Sequence, residues 1–273
     1  MHAPDRYAII GHPVAHSRSP RIHALFAAQL GHTLVYERID ATPAQFAAVT
    51  RGFFAAGGRG LNVTLPHKEA AVALCARLTP RAARAGAVNA LRAEGDGTLL
   101  GDNTDGAGLV RDLEANLGLA LGGRRILVLG AGGAVRGVLG PLLERAPAEL
   151  VIANRTAERA RQLAVEFSGG APLRGCGLAE PAGPFDLVIN GTSASLGGEL
   201  PALRPGCIGA RTTCYDMAYG HADTVFVHWA RAQGAAHAVM GLGMLVEQAA
   251  ESFLLWRGVR PDTAPVLAAL LAE

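Results

Sequence analysis

The sequence is short of several things, and each shortage narrows the reading. No window of about 18 or more uninterrupted apolar residues occurs, so no transmembrane helix is expected. Met1-His2-Ala3-Pro4-Asp5-Arg6 runs straight into a strand-like segment. It lacks the succession of charged, apolar and small residues that marks a secretory signal, and none is expected. Charge is sparse and balanced, at 18% of residues and a net +2. That leaves no electrostatic case for nucleic acid or a polybasic membrane anchor. The cysteines are few: Cys75, Cys176, Cys207 and Cys214. They form no Cys-x-x-Cys pair and no Cys/His cluster at zinc spacing, so no metal site is expected. Scattered cysteines in an enzyme of this size suit a reducing cytosol, and a cytoplasmic protein is expected.

What the chain does have is apolar bulk. Half of its 273 residues are hydrophobic. At roughly 100–200 residues per domain, two domains with sizeable cores are expected. The stretch that organises the first is Asn62-Val63-Thr64-Leu65-Pro66-His67-Lys68. A short apolar strand, Gly60 to Val63, ends at Thr64, Pro66 stops it, and Lys68 is read as opening an Ala-rich helical run. Taken alone, Lys68 would be a solvated lysine at a helix start. Two further stretches turn the reading toward chemistry: Gly101-Asp102-Asn103-Thr104-Asp105-Gly106-Ala107-Gly108 and Gly130-Ala131-Gly132-Gly133-Ala134.

Tyr7-Ala8-Ile9-Ile10 reads as a buried strand. Ser19 is expected to cap the helix after it, with Pro20 at the first helical position. Ser17 and Ser19 are either caps and nothing more, or two hydroxyls at a helix N-terminus that bind a carboxylate. Leu34 to Arg38 is a second strand, and Thr42-Pro43-Ala44-Gln45 has the form of a capping box opening a helix to about Ala56. Ala87-Val88-Asn89-Ala90-Leu91 and Thr98-Leu99-Leu100 flank Glu94-Gly95-Asp96-Gly97, a hairpin signature. Asn89 interrupts an apolar strand. It is either a satisfied core amide or a ligand-binding amide.

In the second half, Arg125 to Leu129 is a continuous apolar run, as in a parallel strand covered on both faces. The glycine turn Gly130 to Ala134 follows. Val135, Val138, Leu139, Leu142 and Leu143 then fall at helical spacing, with Pro141 predicting a kink or a lost hydrogen bond. Leu150 to Ala153 is the next strand. A glycine turn between strand and helix lets the backbone approach a pyrophosphate, and the helix N-terminus supplies N–H donors. At the end of the second strand stand Asn154-Arg155-Thr156, with Arg159 one turn on. Arginine there can pair with a 2′-phosphate, which predicts NADP over NAD. The bland alternative is a surface arginine pair. Asn190, Thr192, Ser193, Met217 and Tyr219 all follow strand ends, where open α/β sheets bind ligands. Gln248 lies on a C-terminal helix among apolar neighbours, and its bland reading is an exposed helix glutamine.

Together these stretches resemble the shikimate dehydrogenase family over nearly the whole chain. The resemblance rests on Gly11-x-Pro13-x-x-His16-Ser17-x-Ser19-Pro20, Asn62-Val63-Thr64-x-Pro66-x-Lys68, Gly86-Ala87-Val88-Asn89, Gly101-Asp102-Asn103-Thr104-Asp105-Gly106, the glycine turn, Asn154-Arg155-Thr156, Tyr215-Asp216-Met217 and Gly241-Leu242-Gly243-Met244-Leu245-Val246-x-Gln248-Ala249. It implies an α/β protein with an N-terminal α/β substrate domain (1–104) and a Rossmann-type doubly wound NADP-binding domain (105–239), a deep cleft lying between them. C-terminal helices (240–273) return to the substrate domain. The implied reaction is reversible NADP-dependent reduction of 3-dehydroshikimate to shikimate, on the route to aromatic amino acids.

Lys68 and Asp105 are the implied catalytic pair. Ser17, Ser19, Asn62, Thr64, Asn89, Tyr219 and Gln248 are the other implied substrate contacts. Gly130, Ala131, Gly132, Gly133, Ala134, Asn154, Arg155, Thr156, Arg159, Thr192, Ser193, Met217, Gly241 and Met244 are implied for the cofactor. No metal is implied, and the protein would be a monomer or homodimer. His12 and Gly191 depart from the commoner Asn and Ala, and Pro80 replaces a glutamate of some members. His221 to Phe226 lacks the lysine and proline often seen before the phenylalanine. Three alternatives stay open: a quinate or dual quinate/shikimate dehydrogenase, a paralogue of broader specificity, and a catalytically silent nucleotide- or metabolite-binding regulator. Ser17 with Ser19 favours shikimate, since related quinate enzymes tend to carry threonine at the second position.

Overall fold

A computed structural model describes residues 4–169, 172–192, 194, 198–200, 202–204, 206–220 and 222–273. The chain divides into two compact units, one of residues 1–108 with 245–273 and one of residues 109–244. The first begins with β1 (Asp5–Gly11), α1 (Ser19–Leu30), β2 (Leu34–Asp40), α2 (Phe46–Ala55) and β3 (Gly58–Val63). After a 3₁₀ turn (Ala70–Leu74) come β4 (Arg77–Leu78), α3 (Pro80–Ala85), β5 (Ala90–Ala93), β6 (Leu99–Asp102) and α4 (Asp105–Arg111). Its six-stranded sheet has the order β2-β1-β3-β5-β6-β4. β1 is parallel to β2 and β3, β5 is antiparallel to β3 and β6, and β4 is parallel to β6. Ile10, Leu61, Val63 and Leu91 from its strands pack with Phe46 and Phe53.

Three local expectations need correction. Ser19 is the first residue of α1, not its cap; Arg18 holds that position without a side-chain capping bond, and Ser17 Oγ instead accepts from Ser19 N–H at 3.2 Å. Thr42 to Gln45 forms a turn ahead of α2 rather than its first turn. Gln45 still reaches back to Thr42 N–H at 3.1 Å, the reciprocal half of a capping box. Lys68 opens no helix: it lies between the Pro66 turn and the 3₁₀ segment, so its side chain is set by the turn and not by helical repeat.

The second unit contains β7 (Arg125–Leu129), α5 (Gly133–Leu143), β8 (Glu149–Asn154), α6 (Ala157–Phe167), β9 (Leu173–Gly177), β10 (Leu187–Asn190), β11 (Thr213–Asp216), α7 (Val225–Ala232) and β12 (His237–Met240). Its sheet runs β12-β11-β10-β7-β8-β9, parallel throughout. This is the doubly wound order, reversing direction between β7 and β10. Ile126, Val128, Leu150 and Ile152 face one core with α5 and α6, while Leu127, Leu129, Val151 and Val188 face the other with α7. Burial on both faces is why these strands read as unbroken apolar runs. α5 continues two residues past Pro141. α8 (Leu242–Arg257) then carries the chain into the first unit, and α9 (Ala264–Leu271) ends it.

Candidate active site

In the first unit, Lys68 and Asp105 meet. Lys68 Nζ donates to Asp105 Oδ2 at 2.6 Å, and the two side chains are 15% and 5% exposed. Shielded from water, such a pair interacts more strongly than a surface ion pair. β3 and the turn after it deliver Lys68, whose carbonyl accepts from Val88 N–H at 2.8 Å. Asp105 is the first residue of α4, where the helix dipole favours a carboxylate. Its own N–H donates to Asn103 Oδ1 at 3.2 Å.

Asn89 lies just before β5 and is buried. Its amide nitrogen reaches Asp105 Oδ1 at 2.8 Å, Thr104 Oγ1 at 2.9 Å and Gln248 Oε1 at 3.3 Å. Its oxygen accepts from Thr104 N–H at 2.8 Å. Asn89 is therefore a satisfied amide that holds the second oxygen of Asp105 while Lys68 holds the first. Gln248 is buried on α8 rather than exposed, and donates to Leu245 O at 2.8 Å. It comes this close to α4 because Gly108 has no side chain: a Cβ there would lie 2.7 Å from Gln248 N.

Ser17 and Ser19 are both buried, their hydroxyls 3.2 Å apart. Arg38 on β2 holds this loop, donating from Nε and Nη2 to Ser17 O at 2.9 and 2.6 Å. Asn62 on β3 is buried and donates to Asn89 O at 3.1 Å and Ser252 Oγ at 2.9 Å, while accepting from Tyr36 O–H at 2.7 Å. Thr64 N–H donates to Ile10 O at 2.9 Å. Asp102, just ahead of this group, accepts both Nε and Nη2 of Arg81 at 2.7 and 2.6 Å. Burial alone would push the Asp102 carboxyl up; the Arg81 guanidinium outweighs it and holds the group below its ordinary range. Tyr219 belongs to the second unit, half-buried on the segment after β11.

In the second unit the turn between β7 and α5 is made by Gly130, Ala131 and Gly132. Gly130 has φ +108°, a region that disfavours a side chain, and a Cβ there would come 3.2 Å from Gly191 O. Gly132 caps α5 with extended backbone and no side-chain bond, so α5 presents its first N–H groups without a competing acceptor. Gly133 and Ala134 begin the helix, and Val135 is fully buried. Asn154 ends β8, its amide donating to Thr156 O at 3.0 Å. Arg155, Thr156 and Arg159 are exposed at the start of α6. Thr192 donates to Asn190 Oδ1 at 2.7 Å, and Met217 N–H donates to Asn190 O at 2.9 Å, so both sit at the ends of β10 and β11. Gly241 N–H reaches Ala218 O at 3.1 Å, and Met244 is buried in the core of this unit. Ser193 lies outside the described residues. Among the described residues no group of three or more His, Cys, Asp or Glu side chains is placed to hold a metal ion. No helix there is long and apolar enough to cross a membrane.

Three family models match the chain: the shikimate dehydrogenase substrate binding domain over residues 9–91, shikimate / quinate 5-dehydrogenase over 113–196, and the shikimate 5'-dehydrogenase C-terminal domain over 241–271. A shikimate dehydrogenase (NADP(+)) from Alkalilimnicola ehrlichii is 60% identical, covering 98% of this chain and 99% of its own. The chain belongs to the shikimate dehydrogenase family. Among solved structures of similar fold, an Ael1 enzyme from Pseudomonas putida matches with TM-score 0.89 and 47% identity over 97% of this chain and 98% of its own. The shikimate 5-dehydrogenase of Thermus thermophilus in complex with NADP(H) and shikimate matches with TM-score 0.85 and 37% identity, covering 97% and 98%.

Against that family background, some residues of the site were not evident from sequence. Tyr36, Arg38, Arg81 and Ser252 bond to the motif residues but lie outside the motif stretches or in the ordinary pattern of a strand or helix. One signal was available in composition. Of the chain's 25 Lys and Arg residues a single one is lysine, and it is Lys68.

Proposed function

We propose that this protein catalyses the NADP-dependent, reversible reduction of 3-dehydroshikimate to shikimate. The observation that carries the proposal is the shielded Lys68–Asp105 pair, 2.6 Å apart, at the motif positions of a family whose relatives bear that name. The residues present fit NADP. The glycine turn leaves room for a pyrophosphate against the N-terminus of α5, and Arg155 with Arg159 offers guanidinium groups for a 2′-phosphate. Bound NADPH supplies the hydride.

As the ketone becomes an alcohol, its oxygen needs a proton. Lys68 donates one from its ammonium in reduction and takes one back in oxidation, and the cation stabilises negative charge developing on that oxygen. A guanidinium would keep the charge but could not exchange a proton near neutral pH. That difference accounts for a lysine at position 68 in a chain that otherwise uses arginine. Asp105 orients the ammonium and accepts from a substrate hydroxyl, with Asn89 holding it in place. Ser17 and Ser19 offer hydroxyls at the start of α1 for the substrate carboxylate, a pairing that favours shikimate over quinate. Gln248 completes the substrate contacts of the first unit. The four free thiols suit a reducing compartment such as the cytoplasm, and burial pushes Cys214 up to about 12.

The test is absorbance of reduced nicotinamide, with purified protein and shikimate or quinate against NADP⁺ or NAD⁺. Fast reduction of NADP⁺ with shikimate is expected. Turnover with quinate or NAD⁺ instead would move the specificity and leave the catalytic pair standing. No turnover with any combination would overturn the proposal in favour of a silent binder.

A further inference from the structure

The amide of Asn62 is almost fully committed within the protein. Both of its N–H donors are in use, one to Asn89 O at 3.1 Å and one to Ser252 Oγ at 2.9 Å. A backbone carbonyl can only accept, so the nitrogen of Asn62 must face Asn89 and the amide has a single possible orientation. Its oxygen then faces Tyr36, whose hydroxyl donates at 2.7 Å. A carboxamide oxygen accepts two hydrogen bonds, so one acceptor position is left over.

We infer that Tyr36 is a positioning residue of the substrate site, acting through Asn62, and that Asn62 meets the substrate only as a hydrogen-bond acceptor. This rests on the reading that Asn62 is a substrate contact. The substrate group it recognises is thus a hydroxyl that donates, and an ether or fluorine at that place would be refused. Tyr36 is itself held. Its ring stacks on His23 at 4.3 Å between centroids and 8° between planes, and Trp256 lies at 6.4 Å. His23 is fully buried, and neither ring nitrogen has a hydrogen-bond partner. Burial pulls its pKa down to about 3 against an opposing contribution from Asn62, so the stack stays uncharged at working pH. The phenol is held between the edge strand and this stack, with its hydroxyl donating to Asn62.

The experiment is a double-mutant cycle on Tyr36→Phe and Asn62→Ala, read as kcat/KM for shikimate, KM for NADP⁺ and melting temperature. Tyr36→Phe is expected to lower kcat/KM for shikimate about three- to tenfold, the range of one net hydrogen bond, with KM for NADP⁺ unchanged. In the Asn62→Ala background it is expected to have no further effect on kcat/KM, because its only route to the substrate is gone. A merely structural Tyr36 would act equally in both backgrounds and would show in melting temperature; that additive result overturns the inference, as does a silent Tyr36→Phe beside an impaired Asn62→Ala. If Asn62→Ala itself leaves kcat/KM untouched, the substrate-contact reading of Asn62 falls and the inference with it.

Discussion

The two units hold their candidate residues by opposite means. In the first, side chains do the holding: Asn89 holds Asp105, Tyr36 and Ser252 hold Asn62, and Arg38 holds the backbone of the serine loop. Most of these groups are buried, so each must find a partner or cost about 1–3 kcal/mol. In the second, the backbone does the holding. A glycine turn and the open N-terminus of α5 define the place, and the arginines beside it are solvent-exposed. A small polyol is recognised by the direction of each hydroxyl, which demands fixed side-chain donors and acceptors. A pyrophosphate is recognised by charge and N–H groups, which demands close backbone approach. The first unit should therefore be sensitive to the loss of a polar atom, and the second to the gain of a methyl.

The largest expected effect tests the first unit at its centre. Lys68→Ala should lower kcat by about 10²–10⁴-fold with a modest change in shikimate affinity, measured by steady-state kinetics. Near-normal turnover would remove Lys68 from the chemistry. Next is the nucleotide side. Replacing Arg155 and Arg159 together by Ser should lower kcat/KM for NADP⁺ about ten- to a hundredfold and leave NAD⁺ kinetics unchanged, since charge-assisted bonds to a 2′-phosphate are absent with NAD⁺. An equal loss for both cofactors would place those arginines elsewhere.

A smaller effect separates the two kinds of construction directly. A Cβ at Gly191 would lie 2.6 Å from Val135 Cγ2 and 3.1 Å from Met217 Sδ. Gly191→Ala should destabilise the protein by about 1–3 kcal/mol through overpacking and raise KM for NADP⁺. Adding Val135→Ala should recover most of the loss in a thermal melt. This explains how the chain carries glycine at 191: the valine at 135 already fills the space. If Val135→Ala gives no recovery, the contact does not limit the site.

The last expected effect concerns pH. The unfolded chain protonates His23 from about pH 6.5 downward, whereas burial keeps the folded ring neutral until about 3. Between these values the unfolded state binds more protons, so stability falls as pH falls, by up to about 1.4 kcal/mol per pH unit from this one group. His23→Phe keeps an aromatic ring and removes the proton site. Its melting temperature should decline less steeply than the parent's between pH 6.5 and 4, and parallel slopes would exonerate His23.

Much of this was legible along the chain. β1, β7, β8 and β10 appear as apolar runs, the glycine turn sits where strand becomes helix, and Glu94 to Gly97 marks the hairpin between β5 and β6. β9 was not legible, because Leu173-Arg174-Gly175-Cys176-Gly177 has two glycines, an arginine and little apolar pattern, and it pairs only because β8 lies beside it. The two-residue β4 was too short to show any period. Asn89 could equally have been a core amide or a ligand amide until Asp105, Thr104 and Gln248 were brought around it.

The sequence by itself determined the two α/β units, the glycine turn and the order of the motifs, because period, turn chemistry and strand burial are set by neighbours a few positions apart. Only the tertiary structure decided what each polar side chain is committed to. Asn62 bonds to Tyr36 26 positions away and to Ser252 190 positions away. A hydrogen bond leaves no periodic trace in a chain. Its donor and acceptor are matched only when folding has removed the water that would otherwise satisfy both.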